Sequence, residues 1–266
     1  MNTKDKKILF KEKYGPWALV AGASYGLGSA YSEALAQHGL NLVLLARGKE
    51  QLEAEANRLR EHYAVEVMCY AIDLADYEKA KSIITNLNLP IGLLVYNAAF
   101  APIGLFENIS EEQLNLTIAV NVKTPLLLAK LMSIPMIQRG KGGIVLMSSL
   151  AGGQGSSRLQ TYAATKAFNA ILAEGLWKEL KPRGIDVIGC IAGAILTPNY
   201  QKAEKTKSAP GAISAEKVAK KTLMALGKKP IIIPGTVNKI AHFLMTRLLP
   251  RRISINIMKN KTGGLS

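Results

Sequence analysis

Residues 17–28 read WALVAGASYGLG and set the architecture of this 266-residue chain. The first five form an apolar run typical of a buried strand, and residues 27–38 then place apolar side chains at a helical period. Gly22, Gly26 and Gly28 lie between the two in a G-x-x-x-G-x-G spacing. Glycine suits such a turn because the backbone can bend sharply and approach another group without a Cβ in the way. The stretch predicts a strand, a glycine turn and a helix.

Apolar runs and helical patterns alternate along most of the chain after this turn. Such alternation is typical of a parallel sheet with helices on both faces. We predict the α/β class: a single doubly wound parallel sheet (Rossmann fold) with helices on both faces and a C-terminal amphipathic helix. We expect residues 1–266 to form one domain, since a chain that is 48% hydrophobic can bury one large core. The later strands are predicted at residues 41–46, 65–72, 91–96, 143–147, 185–191 and 230–233, with helices that include 49–63 and 215–228.

The glycine turn and the end of the second strand together suggest a dinucleotide site. A helix that begins at such a turn points its free backbone N–H groups at a pyrophosphate. Arg47 follows the second strand, where the adenosine ribose is normally met, and its guanidinium suits a 2′-phosphate. NADP is therefore favoured over NAD. A plain tight turn and a surface arginine are the alternatives, because a glycine spacing alone is a weak signal.

Residues 149–166, SLAGGQGSSRLQTYAATK, carry a second group of polar side chains. Tyr162 and Lys166 are four positions apart, so in a helix they share one face. Bringing a phenol from its usual pKa near 10 to about 7 takes roughly 4 kcal/mol, and an ammonium about 4 to 5 Å away supplies roughly 3 to 4 kcal/mol. We predict that Lys166 lowers the pKa of Tyr162. Ser149 could hold a substrate oxygen while Tyr162 moves the proton, if a nicotinamide moves the hydride.

The order of these motifs resembles the short-chain dehydrogenase/reductase family of ordinary length over residues 14–198. The thirteen-residue step from Ser149 to Tyr162 is the family's step and favours Ser149 over Ser148. The chain departs from the family pattern with Ala21 in place of threonine and Ala192 in place of proline. The matching parts are the glycine turn, Asp73-Leu74, Asn97-Ala98 within Tyr96-Asn97-Ala98-Ala99, the Asn121, Ser149, Tyr162 and Lys166 tetrad, and the segment from Ile191 to Pro198.

The resemblance implies a set of site residues and no metal ligand. The implied catalytic residues are Asn121, Ser149, Tyr162 and Lys166. The implied cofactor-binding residues are Gly22, Ser24, Tyr25, Gly26, Leu27, Gly28, Arg47, Asp73, Leu74, Asn97, Ala98, Tyr162, Lys166, Ile195 and Thr197, with NADP as the cofactor.

The resemblance also implies a role for each catalytic residue. Tyr162 is the general acid or base, Ser149 steadies the substrate oxygen, and Lys166 grips the nicotinamide ribose. Asn121 holds a water that continues the proton path; the alternative is a polar residue that caps or kinks a long helix. The chain is similar to the branch of 17β-hydroxysteroid dehydrogenases and 3-oxoacyl-CoA reductases, which implies a small lipophilic carbonyl or alcohol as substrate. A catalytically silent NADP-binding scaffold at the membrane surface is the alternative function.

The formal charge of +15 is concentrated at the C-terminal end, where residues 200–266 hold +12 of it. We interpret residues 199–214, which are short and polar, as a substrate lid, and residues 236–266 as a basic tail. A helix over 239–249 places Lys239, His242 and Thr246 in one polar stripe opposite a broad apolar face. That face either packs over the cleft or a dimer partner, which we favour, or rests at a membrane interface with the arginines on anionic lipid.

The sequence favours a cytoplasmic protein, with peripheral membrane contact through the tail as the alternative to packing. No apolar run is long enough to predict a signal peptide or a bilayer span. Cys69 and Cys190 lie in apolar runs typical of reduced core thiols. The resemblance implies a homodimer or homotetramer, paired through helices near residues 114–131 and 159–180.

Two other functions fit the sequence less well. A nucleic-acid binder would suit the basic tail, but aromatic residues are only 6% of the chain and none interleave with the lysines. A serine hydrolase would use Ser24, in Gly22-x-Ser24-x-Gly26, as the nucleophile of a strand-to-helix elbow. The later histidines are His38, His62 and His242, and the first belongs to the same predicted helix as the turn.

Overall fold

The computed structural model describes residues 3–196 and 211–262. Seven parallel strands form the central sheet, and two short strands pair separately. The strands are β1 Trp17–Ala21, β2 Asn41–Ala46, β3 Val67–Ala71, β4 Ile91–Tyr96, β5 Gly142–Ser149, β6 Ile185–Ala192, β7 Ile195–Leu196, β8 Ile213–Ser214 and β9 Ile231–Ile232. The order in the large sheet is β3-β2-β1-β4-β5-β6-β9. The predicted doubly wound Rossmann sheet is confirmed, and the strand order reverses between β1 and β4.

Helices connect the strands and cover both faces of the sheet. Two π-helical turns, Ala119–Lys123 and Leu244–Leu248, interrupt longer helical stretches. The helices are α1 Thr3–Tyr14, α2 Leu27–Gln37, α3 Lys49–His62, α4 Tyr77–Leu87, α5 Glu111–Ile118, α6 Thr124–Arg139, α7 Gln160–Leu180, α8 Ala215–Ala225, α9 Thr236–Phe243 and α10 Arg251–Thr262.

The core lies on the two sides of the sheet. Successive side chains of a strand point to opposite faces, so a strand covered on both faces is apolar throughout. In β6, for example, Val187 belongs to one hydrophobic cluster and Ile188 to the other. All residues of β1, β4 and β6 are buried. The continuous apolar runs in the sequence therefore predicted these strands well.

The first helix, α1, was not predicted because its pattern is largely polar. Three side chains hold it against the sheet and α2. The Tyr14 hydroxyl donates a 2.6 Å hydrogen bond to the buried Asp186 carboxylate, and Lys13 pairs with the same carboxylate. Phe10 stacks on His38 with ring centroids 4.2 Å apart. Contacts distant in sequence therefore fix this helix.

The long helix predicted near residues 114–131 is broken in two. The π turn Ala119–Lys123 separates α5 from α6, and Asn121 lies within it. By length and composition, Glu111–Arg139 is the one described stretch that could cross a bilayer. Leu128 and Met132 pack against the sheet. We therefore interpret this stretch as part of the core, because a buried helix can be as long and as apolar as a membrane span.

The tail contains two helices where the sequence analysis predicted one. Helix α9 runs through the π turn Leu244–Leu248, and α10 follows after Pro250. Two residues of the polar stripe, His242 and Thr246, face the protein next to Gly153, whereas Lys239 is exposed. The apolar side chains point outward and are exposed. Packing over the cleft therefore does not hide the apolar face, and packing on a dimer partner stays a prediction.

Candidate active site

At the glycine turn, the backbone after β1, the backbone after β4 and the start of α2 lie too close together to admit side chains. Gly22 and Gly26 have positive φ angles of 83° and 64°, which favour glycine. A Cβ on Gly22 would lie 2.7 Å from the Ala98 nitrogen, and a Cβ on Gly28 would lie 1.8 Å from the Gly22 oxygen. Only glycine fits at both positions, and the start of α2 is left open above the turn.

Asn97 ties this turn to the end of β4. The backbone nitrogens of Asn97 and Ala98 both donate to the Ala21 carbonyl at 2.9 Å. The Asn97 side chain donates to the Gly22 carbonyl at 3.0 Å. The carboxyl ends of β1 and β4 are therefore held side by side where the strand order reverses, which is where ligands bind in open α/β sheets.

A cleft of about 410 Å³ opens at this point. It contains ten of the cofactor-binding residues predicted from the sequence. These are Gly22, Ser24, Tyr25, Gly26, Leu27, Arg47, Asp73, Leu74, Asn97 and Ala98. Six further lining residues were not predicted: Ala46, Gly48, Gln51, Ala99, Phe100 and Val120. Ala46, Gly48, Ala99 and Val120 each adjoin a predicted residue in the sequence, whereas no motif marks Gln51 or Phe100.

The chemistry of this cleft fits a nicotinamide dinucleotide. It is lined by a glycine turn in which an added Cβ would collide with neighbouring backbone, at the N-terminus of an eleven-residue helix. Such a helix end favours an anionic group through its free N–H groups and its dipole. Arg47 lines the same cleft, so one cation is available to a second anionic group.

Ser149, Tyr162 and Lys166 come together beyond this cleft. Ser149 ends β5, while Tyr162 and Lys166 lie on successive turns at the start of α7. The Lys166 ammonium lies 5.4 Å from the centre of the Tyr162 ring. The Ser149 side chain hydrogen-bonds Tyr162. The structure thus groups three of the four predicted catalytic residues.

Burial controls the protonation of this group. It raises the pKa of Tyr162 above its usual value, and the hydrogen bond from Ser149 lowers it only in part. Burial also lowers the pKa of Lys166 to about 8, because the ammonium has lost its water. The prediction that the Tyr162 pKa lies below its usual value is therefore wrong for this structure. The phenol remains protonated at neutral pH.

Two contacts fix the position of Lys166. Its ammonium donates to the Met147 carbonyl at 3.1 Å, and its own carbonyl accepts from the Ser148 hydroxyl at 2.7 Å. Ser148 is buried in this contact, whereas Ser149 is partly accessible. The structure therefore supports the choice of Ser149 over Ser148 as the residue that meets the substrate.

Asn121 links the cleft to the tyrosine group. Its side-chain oxygen accepts from the Phe100 nitrogen at 2.8 Å, and its side-chain nitrogen donates to the Phe100 carbonyl at 2.7 Å and to Thr165 at 3.1 Å. Its backbone carbonyl accepts from Asn169 at 3.0 Å. Asn121 lies in the π turn that interrupts the long helix, as the alternative interpretation expected, and its catalytic role stays a prediction. The side chain acts by fixing the loop after β4 against α7.

Comparison with known proteins places this arrangement in a family. Residues 16–208 match the family model described as short chain dehydrogenase. The chain is a member of that family. The short-chain dehydrogenases are oxidoreductases that use a nicotinamide cofactor, in agreement with the glycine-lined cleft and with the resemblance seen in the sequence.

Three known proteins show how widely this short-chain dehydrogenase matches its relatives. It is 30% identical to 7beta-hydroxysteroid dehydrogenase of Clostridium sardiniense, over 86% of this chain and 89% of that protein. It is 29% identical to very-long-chain 3-oxoacyl-CoA reductase of Homo sapiens, over 92% of this chain and 79% of that protein. The solved short-chain dehydrogenase from Sphingobium yanoikuyae in complex with NADPH is 31% identical, with a TM-score of 0.74, over 83% of this chain and 87% of that one.

The remaining predicted residues of this short-chain dehydrogenase lie at the edge of the site or beyond it. Gly28 supports the turn without lining the cleft. Ile195, in β7, is partly buried against the core. Thr197 lies outside the described residues, as does most of the predicted lid at 199–214. Within the described ranges, no group of three or more His, Cys, Asp or Glu side chains could hold a metal ion.

The described histidines of this short-chain dehydrogenase do not form a hydrolase site with Ser24. Ser24 lines the cofactor cleft. His38 stacks on Phe10 beyond the C-terminal end of α2, and His62 contacts the Arg58 carbonyl at 2.8 Å. His242 lies beside Gly153. The family match and these positions together leave the serine-hydrolase alternative without support.

Proposed function

We propose that this chain is an NADP(H)-dependent oxidoreductase that interconverts a carbonyl and a secondary alcohol on a lipophilic substrate, with Tyr162 as the general acid or base. The observation that carries the proposal is the grouping of Ser149, Tyr162 and Lys166 in a chain that also contains a glycine-lined cleft. Asn121 joins the two parts, since it bonds both the cleft residue Phe100 and Thr165 of the tyrosine helix.

The protonation state of Tyr162 suits carbonyl reduction. Its pKa is raised by burial, so near neutral pH the phenol has a proton to give. In reduction, that proton goes to the substrate oxygen, which Ser149 also holds by a hydrogen bond. The nicotinamide, when bound, supplies the hydride at the carbon. In oxidation, the same phenol must first lose its proton.

Lys166 supports this step through its position. Its ammonium is held by the Met147 carbonyl and lies over the Tyr162 ring. A cation there favours the phenolate once the proton has left. Its pKa of about 8 means that it keeps this charge at neutral pH.

Arg47 and its neighbours support NADP as the cofactor. Arg47 lines the cleft together with Gly48 and Gln51. A guanidinium binds a phosphate through two parallel hydrogen bonds, whereas an acidic residue here would select the free ribose hydroxyl of NAD. The Sphingobium yanoikuyae relative was solved with NADPH, which also favours this choice.

The relatives and the surface near the site support a lipophilic substrate. The two curated relatives are named as enzymes of a hydroxysteroid and of a very-long-chain 3-oxoacyl-CoA. In this chain, Ile103, Leu105 and Phe106 are exposed, and the Gly104 amide between them donates to the carbonyl of Arg158 at 3.0 Å. An apolar rim therefore borders the loop between Ser149 and Tyr162.

Tyr162→Phe tests the mechanism. It removes only the hydroxyl, so we expect carbonyl reduction to fall by at least about 10²-fold, within the range of acid–base catalysis, while NADPH still binds. The measurement is NADPH consumption over ketosteroids and 3-oxoacyl thioesters, with NADPH binding by fluorescence. Tyr77→Phe, in α4, is the matched control. Turnover by Tyr162→Phe at the wild-type rate would refute the role.

The same assay tests the cofactor and the alternative function. Arg47→Asp should shift preference from NADPH toward NADH, since the carboxylate repels a 2′-phosphate and accepts a hydroxyl. Unchanged preference would mean that the adenosine end lies elsewhere. A catalytically silent scaffold predicts instead that the wild type binds NADPH and consumes none with any carbonyl.

A further inference from the structure

The outward side of the tail carries an apolar surface that we name the tail face: Val237, Ile240, Phe243, Leu244 and Leu248. These side chains are each between 40% and 60% exposed. Their spacing places them along one side of α9 and the π turn that follows it. A contiguous apolar stripe of this kind on a folded protein marks a surface that binds something.

The polar contacts of the tail hold this face outward. The Asn238 side chain donates to the carbonyls of Gly211 and Pro234, both at 3.0 Å, and is buried. The Arg251 guanidinium donates to the Gly153 carbonyl at 2.7 Å. Because polar side chains make these inward contacts, the helix cannot rotate to bury its apolar side without leaving them unpaired.

Basic side chains border the tail face. Lys239, Arg247 and Arg252 are exposed, and none of them forms an ion pair with another described residue. From residue 217 to residue 266 the sequence contains eleven Lys and Arg residues and no Asp or Glu. The partner of this surface must therefore accept apolar side chains and tolerate, or be attracted by, positive charge.

We propose that the tail face rests on an anionic lipid surface. A helix with an apolar side and flanking basic residues lies in the interface plane, with the apolar side among the acyl chains and the basic groups at the phosphates. A second copy of this chain fits the charge less well. Symmetric pairing through the same patch would bring Arg247 and Arg252 toward their own copies, and like charges that meet across an interface oppose association.

The lipid surface would lie beside the substrate entrance. The tail contacts the loop between Ser149 and Tyr162 through Arg251 and Gly153, and Ile255 lies next to Gly155 of the same loop. The apolar rim at residues 103–106 borders that loop from another side. A lipophilic substrate could then enter from the membrane, although the proposal stands on the tail face whatever the reaction is.

Vesicle flotation of the full chain tests the proposal. We expect recovery with vesicles of phosphatidylcholine and phosphatidylglycerol, and much less with phosphatidylcholine alone or in high salt. Phe243→Ser with Leu248→Ser should abolish recovery, because both side chains are exposed and the fold does not need them. Arg247→Gln and Arg252→Gln should each weaken binding about fivefold. Met224→Ser, an equally exposed apolar position on α8, is the control.

Three results would overturn the proposal. The first is a wild-type chain that stays in the soluble fraction with anionic vesicles. The second is flotation that survives the Phe243→Ser and Leu248→Ser changes. The third is a mass, by light scattering, that halves in that double variant while the wild type ignores vesicles, which would make a second copy the occupant. NADPH binding, measured alongside, shows that each variant is folded and separates this test from that of the reaction.

Discussion

Lys166 lies where its charge costs stability. The side chain is 3% exposed, and its pKa falls from 10.5 to about 8 in the folded protein. The unfolded chain therefore binds more protons than the folded one between about pH 8 and pH 10.5, so stability from this group rises with pH across that window. Below about pH 8 the buried ammonium lowers the free energy of unfolding by its full amount, on the order of 3 kcal/mol.

Lys166→Met should therefore stabilise the protein at neutral pH while it abolishes turnover. We expect a gain of about 1 to 2 kcal/mol, because the unpartnered Met147 carbonyl offsets part of the relief. The advantage over wild type should shrink as the pH rises from about 8 to about 10.5. Urea unfolding at several pH values measures both quantities. A variant less stable than wild type at pH 7 would contradict the account.

Single side chains in the site could be named from the sequence when a motif marked them. Ten predicted cofactor residues line the cleft, and Tyr162, Lys166 and Ser149 come together as expected. The pKa of Tyr162 was predicted in the wrong direction because helix geometry gives the distance to Lys166 but not the loss of water on burial. Burial depends on the whole fold, and the four-residue spacing does not contain it.

At the scale of an element, the glycine turn and α2 act as one unit. The start of α2 approaches the end of β1 so closely that a single methyl group on Gly28 would overlap the Gly22 carbonyl. The turn is also fixed from the other side by Asn97. The helix end, the turn and the cleft therefore share one geometry.

Gly28→Ala should move α2 away from the turn and so damage stability and cofactor binding together. We expect a loss of about 2 kcal/mol or more in the free energy of unfolding, as for overpacked cores, and at least tenfold weaker NADPH binding. Gly175→Ala is the control, because a Cβ there meets nothing within 4 Å and a helical Ala gains up to about 1 kcal/mol. Equal behaviour of the two variants would count against this role of Gly28.

Helices and strands could be predicted where the local sequence pattern alone marks them, and were missed where it does not. Buried strands such as β1 and β4 are continuous apolar runs and were found within a residue or two. The π turn Ala119–Lys123 was missed because an extra residue in a helix leaves no compositional mark. Helix α1 was missed because its anchor, Tyr14 on Asp186, spans most of the chain.

At the scale of the whole molecule, two of the exposed apolar surfaces bear on assembly. One is the tail face. The other lies on α6 and α7, where Ile134 and Ile171 are exposed, the latter by 69%. The sequence resemblance implied pairing through these two helices. Two separate surfaces allow a dimer and a lipid contact to coexist.

We expect the 28.7 kDa chain to run as a dimer or tetramer that depends on α7 and not on the tail. Ile171→Glu should convert it to a monomer, because two copies of the new charge would be buried against apolar surface. Light scattering after size exclusion gives the mass. Ile240→Glu, in the tail face, is the matched variant and should leave the mass unchanged. A mass that drops with Ile240→Glu instead would assign the pairing to the tail.

The π turn at Ala119–Lys123 has an evolutionary consequence. The π turn absorbs one extra residue locally, and in a regular helix of the same length that residue would rotate all of α6 by about 100°. Leu128, Met132 and Met136 would then leave the sheet, and Asn121 would no longer reach Phe100. Substitutions that abolish the π turn without shortening the chain would therefore misplace α6, and homologues of the same length here should keep the π turn.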